Sequence, residues 1–283
     1  MRTSLKCKGD VFTDVPLWYT KQGNDILLKT PDLDLDETLD CGQAFRWERI
    51  GSGGDCTYHG CMLNTPLTVS AEKDFFRFHD TDEDTFMKIW VPYFDLETDY
   101  SEIKERLSED STLKKACEYA GGIRLLRQDS WEALCSFIIS QNNNIPRIKG
   151  IIGRLCEMYG GFPGYTDMKD VQPDDLAPLR AGFRAKYISD CVQKLNDGEI
   201  SIDEVKKLPV DEARKVLMTI KGVGPKVADC ALLYGLYRIE CVPMDVWMKR
   251  VMEQFYPSGF PDFVLPYAGI AQQYLFHYMR TGI

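Results

Sequence analysis

Residues 221–230 have the sequence KGVGPKVADC, and residues 242–245 have the sequence VPMD. The first stretch contains a glycine–valine–glycine turn that opens a helix, and Lys226 lies at the start of that helix. Backbone N–H groups at such a turn suit a bound phosphate. Asp245 follows Lys226 by nineteen positions, and a lysine close to a carboxylate can act as a nucleophile as well as a cation. The two stretches together predict a DNA-binding hairpin that also carries chemistry.

Each part of this pattern also has a purely structural interpretation. Gly222, Val223 and Gly224 could form an ordinary turn between two packed helices. Lys226 could be a solvated lysine, although its charge at a helix start would oppose the helix dipole. Asp245 could simply cap the helix that follows it, a role that is compatible with holding a carboxylate near a developing positive charge. The ordered set of all these features favours the functional interpretation.

This ordered set resembles the hairpin, glycine- and proline-rich loop and catalytic aspartate of the helix-hairpin-helix DNA glycosylase superfamily. The resemblance implies that Lys226 attacks the sugar C1′, displaces the base and forms a Schiff base, after which β-elimination nicks the strand. It implies that Asp245 stabilises the positive charge on the sugar and helps to activate the nucleophile. The hairpin N–H groups would take a DNA phosphate directly or through a bound monovalent cation. Members with another residue in place of the lysine only remove the base, so Lys226 indicates both glycosylase and lyase activity.

Residues 39–47, LDCGQAFRW, resemble an element of the 8-oxoguanine DNA glycosylases within that superfamily. The resemblance implies that the Gly42 carbonyl accepts a hydrogen bond from N7–H of the damaged base. Guanine N7 is an acceptor, whereas N7 of 8-oxoguanine carries a hydrogen, and an unmatched buried polar group costs about 1–3 kcal/mol. One carbonyl can therefore favour the lesion over the normal base. Taken alone, Gly42 would better fit a strand bulge.

Residues 267–276, YAGIAQQYLF, resemble the final helix of the same family. The resemblance implies that Gln272 hydrogen-bonds the Watson–Crick edge of the base and that Phe276 stacks on one face of it. Cys230 would lie against the opposite face. The i, i+4 spacing of Gln272 and Phe276 places both on one side of a helix. An ordinary amphipathic helix would do the same, so the spacing alone does not separate the two interpretations.

Two further segments resemble family elements that contact DNA around the flipped base. In SQNNNIPR, residues 140–147, the resemblance implies that Asn142 and Arg147 meet the cytosine left without a partner. Further along, Phe183 would wedge into the base stack and Arg184 would contact the same cytosine. A wedge needs only a flat apolar ring to replace the lost stacking. The structural alternative is a surface turn with a core phenylalanine.

The sequence departs from the eukaryotic family pattern at Trp247 and carries no sign of a metal centre. Eukaryotic members have a histidine there that contacts the phosphate 5′ to the lesion, and tryptophan has one N–H donor and no charge. No cysteine follows Cys241, so the iron–sulfur cluster of related enzymes is absent. The histidines, His59, His79 and His277, lack metal-ligand spacing. We expect no required cofactor, beyond the monovalent cation considered at the hairpin.

The charge of the chain is uneven along its length. The 283 residues carry a net charge of −9, which argues at first against a nucleic-acid partner. Residues 1–110 hold 23 acidic against 12 basic side chains, whereas residues 111–283 hold 20 against 22. The part with the hairpin is therefore slightly basic, and we expect a local DNA footprint with modest nonspecific affinity.

Several features indicate a protein that works inside the cell. No apolar run is long enough to span a bilayer, and residues 1–10 lack the apolar segment of a secretory signal. The ten cysteines have no paired spacing, which is typical of reduced intracellular thiols. We expect a monomer without membrane contact, located in the cytoplasm or nucleoid of a prokaryote or in the nucleus of a eukaryote.

Hydrophobic periodicity predicts an α+β fold with two parts. Period-2 segments predict an N-terminal antiparallel sheet subdomain in residues 1–110. From Ser101, which resembles an N-cap, the period becomes helical and predicts an all-α domain in residues 111–283. The resemblance implies that this domain is the helix-hairpin-helix glycosylase domain. The predicted strands cover residues 45–50 and 57–62, joined by a turn at 51–54, and residues 67–70 and 75–78. The predicted helices cover residues 101–107, 131–140, 146–159, 183–195, 210–220, 226–236, 245–255 and 266–279.

The resemblance implies a bifunctional 8-oxoguanine DNA glycosylase and abasic-site lyase that acts on duplex DNA, with a preference for cytosine opposite the lesion. Two alternatives stay open. A glycosylase for oxidised pyrimidines, similar to endonuclease III, would share Lys226 and Asp245. The missing cysteine cluster and the presence of Gly42, Gln272 and Phe276 argue against it. A noncatalytic DNA-binding module would use the hairpin as a clamp, and no strand scission would occur.

Overall fold

The computed structural model describes residues 16–50 and 56–282. It contains a sheet of six strands, β1 (Trp18–Gln22), β2 (Asp25–Lys29), β3 (Trp47–Ile50), β4 (Cys56–Met62), β5 (Thr65–Ala71) and β6 (Phe76–His79). The strands lie in the order β1-β2-β6-β5-β4-β3, and every neighbouring pair is antiparallel. The predicted antiparallel sheet is confirmed, although β1 and β2 were not predicted. The predicted turn at residues 51–54 lies outside the described residues.

A row of side chains across the sheet forms part of its core. Ile26 pairs with Phe78, and Phe78 pairs with Val69. Val69 in turn pairs with Tyr58, and these side chains are at most 2% exposed. Because alternate residues of a strand face opposite sides of a sheet, the row buries one face. The helical segment around Trp90 packs in the same hydrophobic cluster.

Most of the remaining elements are helices, which confirms the predicted α+β class. The α-helices are α1 (Leu35–Leu39), α2 (Glu83–Thr85), α3 (Val91–Tyr93), α4 (Tyr100–Leu107), α5 (Ser111–Tyr119), α6 (Ser130–Ser140), α7 (Ile145–Tyr159), α8 (Arg184–Asn196), α9 (Ile202–Lys207), α10 (Val210–Leu217), α11 (Pro225–Cys230), α12 (Val246–Phe255) and α13 (Ala268–Thr281). A π-helical segment, Phe86–Trp90, joins α2 to α3, and another, Ala231–Gly235, continues α11. Short 3-10 helices cover Tyr165–Met168, Ala177–Leu179 and Leu265–Tyr267.

Capping side chains explain where several helices begin. Asp99, and not Ser101, caps α4, because its carboxylate accepts a hydrogen bond from the Glu102 N–H at 2.9 Å. Ser101 already lies in the first turn. Helices α5 and α9 were not predicted, although each follows a capping side chain, Asp110 and Ser201 respectively.

Residue 110 lies between α4 and α5, and the division of the chain into domains there stays a prediction. Ile103 of α4 and Leu113 of α5 belong to the same helical core. Within the described ranges, no helix combines the length and the apolar character needed to cross a bilayer.

The segment between α1 and β3 lies where two hydrophobic cores meet. The Phe45 ring packs into the helical core, with its centre 5.7 Å from that of Phe137. Trp47 packs into the core of the sheet and donates a hydrogen bond to the Tyr93 hydroxyl at 2.7 Å. Because Phe45 turns toward the helices, β3 begins at Trp47 and not at the predicted residue 45. Residues 40–46, called the Gly42 loop below, are thereby held against the helices.

Candidate active site

Helices α10 and α11 are joined by the predicted hairpin. The Val223 N–H closes the turn with a 3.0 Å hydrogen bond to the carbonyl three residues before it. Gly222 has a φ of +76°, and a Cβ atom there would lie 2.3 Å from the ring of Tyr187. Backbone and packing therefore both require glycine at this position. Gly224 is the residue before α11, and Lys226 lies in the first turn of that helix.

The two predicted catalytic residues, Lys226 and Asp245, line the same pocket. Asp245 is the N-cap of α12, and its carboxylate accepts a hydrogen bond from the Met248 N–H at 2.8 Å. The capping role and a role in the pocket are compatible, because the cap holds the carboxylate at the pocket wall. The Lys226 ammonium lies 5.4 Å from the ring centre of Phe137, within the range of a cation–π contact. A pocket lined by a lysine and an aspartate has the composition of a nucleophile with an electrostatic partner.

The pocket brings together residues from five separate stretches of the sequence. It is lined by Cys41, Gly42, Phe137, Lys226, Cys230, Tyr234, Pro243, Asp245, Gln272 and Phe276. Every residue predicted to carry the chemistry or to recognise the base is in this set. Their individual roles stay predictions.

Four residues of the pocket were not predicted as site residues, and one of them, Pro243, lies two positions before Asp245 in the sequence. Tyr234 follows Cys230 by four positions, so helical spacing would have indicated it. Cys41 adjoins Gly42 in the sequence. Phe137 lies in the apolar run of α6, where no motif distinguishes it from a core residue. Its ring stacks on that of Tyr234, with the centres 5.2 Å apart and the planes at 18°.

Gln272 presents a buried polar group to the pocket from α13. The residue is 3% exposed, and its amide oxygen has no hydrogen-bond partner among the described residues. Leaving such a group unpaired costs about 1–3 kcal/mol, and native proteins keep few of them. Phe276 lies one turn further along α13. Burial raises the pKa of Cys230 to about 11, so its thiol is neutral at physiological pH and suits contact with a base.

Gly42 lies in the loop between α1 and β3, outside any strand of the described chain, so the strand-bulge interpretation is wrong. Its φ is +92°, a conformation that favours glycine. The buried side chain of Gln43 holds the loop beside it. Its amide nitrogen donates to the carbonyls of Thr38 at 2.9 Å and Arg124 at 2.8 Å. Its amide oxygen accepts from the Leu126 N–H at 2.9 Å.

A wide groove adjoins the pocket and shares Lys226 and Asp245 with it. Its lining is Ser140, Gln141, Asn142, Asn143, Gly224, Pro225, Lys226, Val227, Met244, Asp245, Val246, Trp247 and Lys249. The groove thus combines the asparagine-rich turn, the hairpin and the start of α12. Trp247 packs against Arg250, whose guanidinium lies 5.1 Å from the ring centre.

Arg184 is buried and holds the asparagine-rich turn in place. It is 2% exposed, and it donates to the carbonyls of Gln141, Asn142 and Ala181, at 2.8, 2.9 and 3.1 Å respectively. Burial, together with the nearby charge of Arg147, lowers the pKa of Arg184. The contact of Arg184 with a cytosine stays a prediction.

Phe183 lies directly before α8 and is 47% exposed. The alternative that it is a core phenylalanine is therefore wrong. Its ring centre lies 5.5 Å from that of Tyr187, and Tyr187 is the residue that packs against the hairpin. Arg147, near the start of α7, also has an exposed side chain.

In residues 16–50 and 56–282, no group of three or more His, Cys, Asp and Glu side chains is arranged to hold a metal ion. Two of the histidines hydrogen-bond to hydroxyl groups of the sheet. His59 pairs with Thr68 at 3.0 Å, and His79 pairs with Ser70 at 2.7 Å.

Comparisons with known proteins agree with this geometry. Residues 25–134 match the family model of the 8-oxoguanine DNA glycosylase N-terminal domain, and residues 135–260 match that of the HhH-GPD superfamily base excision DNA repair proteins. The structure of MBOgg1 in complex with a low-affinity DNA ligand has a TM-score of 0.86 and 38% identity, over 94% of this chain and 99% of that one. This chain belongs to the 8-oxoguanine DNA glycosylases of the helix-hairpin-helix superfamily.

Two other relatives place this 8-oxoguanine DNA glycosylase family member among bifunctional enzymes. The 8-oxoguanine glycosylase/lyase of Clostridium acetobutylicum, in complex with double-stranded DNA containing cytosine opposite 8-oxoG, is 33% identical with a TM-score of 0.84, over 95% of this chain and 99% of that one. The N-glycosylase/DNA lyase of Saccharomyces cerevisiae is 29% identical over 264 residues, which cover 82% of this chain and 70% of the relative. The predicted family and the predicted enzyme class, a DNA glycosylase with lyase activity, are confirmed.

Proposed function

We propose that this protein excises 8-oxoguanine from duplex DNA, preferentially opposite cytosine, and then cleaves the strand at the abasic site. One observation carries the proposal. A single pocket is lined by Lys226, Asp245 and Gln272, and the buried amide oxygen of Gln272 has no hydrogen-bond partner in the described part of the chain. The Watson–Crick edge of 8-oxoguanine carries N–H donors that would satisfy this oxygen. A base reaches such a pocket only after it is flipped out of the duplex.

Lys226 supplies the nucleophile. Its neutral amine forms a bond to the sugar C1′ while the C1′–N9 bond breaks, and the base leaves with the electron pair of that bond. The Asp245 carboxylate stabilises the positive charge that develops on the sugar. The nitrogen then loses a proton and the C1′–O4′ bond breaks, so that the sugar ring opens to a Schiff base with a hydroxyl group at C4′. Loss of a proton from C2′ of this Schiff base expels the 3′ phosphate, which is the lyase step.

The other residues of the pocket distinguish the lesion from guanine. The Gly42 carbonyl accepts a hydrogen bond from N7–H, which 8-oxoguanine has and guanine lacks. Gln272 pairs with the Watson–Crick edge, and the base lies between the Phe276 ring and the Cys230 thiol. A normal guanine would leave the Gly42 carbonyl facing a second acceptor, at a cost of about 1–3 kcal/mol.

The groove and the hairpin bind the duplex around the flipped nucleotide. The proposed DNA contacts are Asn142, Arg147, Phe183, Arg184, Gly222, Val223 and Gly224. The exposed Phe183 ring fills the space that the flipped base leaves in the stack. In this proposal Asn142, Arg147 and Arg184 contact the cytosine. The preference for cytosine is supported by the Clostridium relative, whose solved complex contains DNA with cytosine opposite 8-oxoG. Equal rates with adenine and with cytosine opposite the lesion would contradict this preference.

A monovalent cation fits between the hairpin and a DNA phosphate. The carbonyl oxygens of Lys221 and Val223 accept no hydrogen bond from other described residues. Carbonyl oxygens are ligands suited to hard cations, and the cation would add positive charge where the phosphate binds. The reaction itself needs no cofactor in this scheme. The protein would work as a monomer in the compartment that holds the genome.

Borohydride trapping tests this function on a duplex with one 8-oxoguanine opposite cytosine. Reduction of the Schiff base should link the wild-type protein covalently to the DNA, and Lys226→Gln should give no adduct. Lys73→Gln is the control, because it removes an equal charge from the exposed turn between β5 and β6. An adduct with Lys226→Gln would refute the assignment of the nucleophile. If the wild-type protein gave no adduct with the 8-oxoguanine duplex but was trapped on a duplex with an oxidised pyrimidine, the result would indicate a glycosylase for oxidised pyrimidines.

A further inference from the structure

A chain of buried hydrogen bonds runs from α13 to the Gly42 loop behind the pocket. Gln273, next to Gln272 in the sequence, is 2% exposed. Its amide oxygen accepts a hydrogen bond from the Tyr234 hydroxyl at 2.7 Å. Its amide nitrogen donates to the Cys41 sulfur at 2.9 Å. The Cys41 thiol in turn donates to the Thr38 carbonyl at 3.4 Å.

This chain acts on the residue directly before Gly42. Cys41 and Tyr234 both line the pocket, so the hydrogen bonds lie immediately behind its wall. The next residue of the loop, Gln43, is held by its own three hydrogen bonds to Thr38, Arg124 and Leu126. Gly42 is therefore fixed from both sides, although it has no side chain of its own.

We propose that Gln273 is a positioning residue that sets the Gly42 carbonyl for recognition of the lesion, acting through Cys41. The inference rests on the proposed function, in which one carbonyl separates 8-oxoguanine from guanine. Hydrogen bonds weaken steeply as their angle departs from linearity. A slight rotation of the loop would therefore weaken the hydrogen bond from N7–H to the Gly42 carbonyl and reduce the discrimination between 8-oxoguanine and guanine. Rigid support behind the contacting group is the general means of keeping such geometry.

The chemistry of the chain requires a protonated Cys41. A thiol has one hydrogen to donate and a sulfur that accepts weakly, and here both capacities are used. Burial raises the pKa of Cys41 to about 11, so the thiol keeps its hydrogen throughout the physiological range. Gln273 likewise uses one donor and its acceptor in the core, in contrast to Gln272, whose oxygen is left for the pocket.

Binding measured in a Lys226→Gln background tests the inference. The quantity is the ratio of dissociation constants for duplexes with guanine and with 8-oxoguanine opposite cytosine. Gln273→Leu should lower this ratio by about 10-fold or more, since small misplacements of a contacting group have effects of that size. Gln254→Leu, which replaces an exposed glutamine on α12, should leave it unchanged.

A second readout separates positioning from general stability. In the catalytically active protein, Gln273→Leu should slow excision of 8-oxoguanine while cleavage of a preformed abasic site continues at nearly the wild-type rate. Cleavage of the abasic site needs Lys226 but no bound base. If both rates fall together, Gln273 has only a structural role and the inference is wrong.

Cys41 variants keep the test decisive if Gln273→Leu fails to fold. Cys41→Ala removes the link and should lower the discrimination ratio, whereas Cys41→Ser keeps a donor and an acceptor and should restore it. Equal ratios in wild type, Cys41→Ala and Cys41→Ser would overturn the inference. A wild-type protein without preference for 8-oxoguanine would instead overturn the proposed function.

Discussion

Gln272 and Gln273 are adjacent glutamines that use their amides in opposite ways. The Gln273 amide is hydrogen-bonded on both sides in the core. Gln272 lines the pocket, and its buried amide oxygen has no partner within residues 16–50 and 56–282. An unpaired buried acceptor lowers the stability of the free protein. Such a group is expected where a ligand later supplies the missing donor.

This contrast predicts opposite stability effects for the same substitution. Gln272→Leu should leave the free energy of unfolding unchanged or raise it, because it removes an unpaired polar atom. Gln273→Leu should lower it by about 1–3 kcal/mol, since it strands the Tyr234 hydroxyl. Urea denaturation of both variants measures the difference. Gln272→Leu should also weaken binding of an 8-oxoguanine duplex by about 10-fold or more. If Gln272→Leu lowered the free energy of unfolding as much as Gln273→Leu does, the contrast between the two residues would be wrong.

At the scale of elements, α8 supports the hairpin along one face. Phe183, Tyr187, Asp190 and Lys194 recur at helical spacing, so they lie on one side of the helix. The Tyr187 ring packs against Gly222, and the Asp190 carboxylate accepts from the Lys221 N–H at 2.7 Å. The Lys194 ammonium donates to the Thr219 carbonyl at 2.6 Å. The helix that directly follows the proposed wedge therefore also supports the proposed phosphate site.

Two glycines of the hairpin should respond differently to alanine. Gly222→Ala puts a methyl group into the Tyr187 ring at a φ of +76°, and we expect a loss of about 1–3 kcal/mol in unfolding free energy. Gly224→Ala is the matched control, because a Cβ there would meet nothing within 4 Å. Thermal or urea unfolding compares the two. Equal losses of unfolding free energy in the two variants would show that the contact with Tyr187 is not the reason that position 222 requires glycine.

At the scale of the whole molecule, charge sets the affinity for DNA. The acidic excess lies in residues 1–110, and the groove beside the pocket contains Lys226 and the exposed Lys249. A protein with a net charge of −9 can bind DNA only through such a local basic surface. A protein that contacts few phosphates has a shallow salt dependence of binding. Each phosphate that it neutralises adds about 0.9 to the magnitude of the slope of log K against log salt concentration.

The salt dependence of binding should therefore identify the footprint. We expect the logarithm of the association constant to fall with the logarithm of salt concentration with a slope of about −2 to −4. Lys249→Ala should reduce the magnitude of that slope by about 1, whereas Lys73→Ala should leave it unchanged. Fluorescence anisotropy with a duplex of normal sequence gives both values. If Lys73→Ala changed the slope and Lys249→Ala did not, the DNA-binding surface would lie on the sheet and not at the groove.

The sequence by itself determined the hairpin, the start of α12 and most helices, because these features depend on neighbours within about four residues. The turn at Gly222, the helix cap at Asp245 and the helical period all depend on contacts within that distance along the chain. The resemblance to a family added the set of pocket residues. Short strands such as β1, which among the described strands pairs only with β2, and short helices such as α9 carry weaker local signals and were missed.

Only the tertiary structure decided how distant residues meet. The Gln273–Cys41 hydrogen bond joins residues 232 positions apart, and no spacing rule reaches that far. Phe45 lies outside the predicted strand because its ring packs into the helical core and not into the core of the sheet. Tyr187, Tyr234 and Phe137 look like core residues in the sequence, and packing alone gave them places beside the hairpin and the pocket. Local order follows from backbone geometry and capping, whereas a site made from separate segments follows from how those segments share a core.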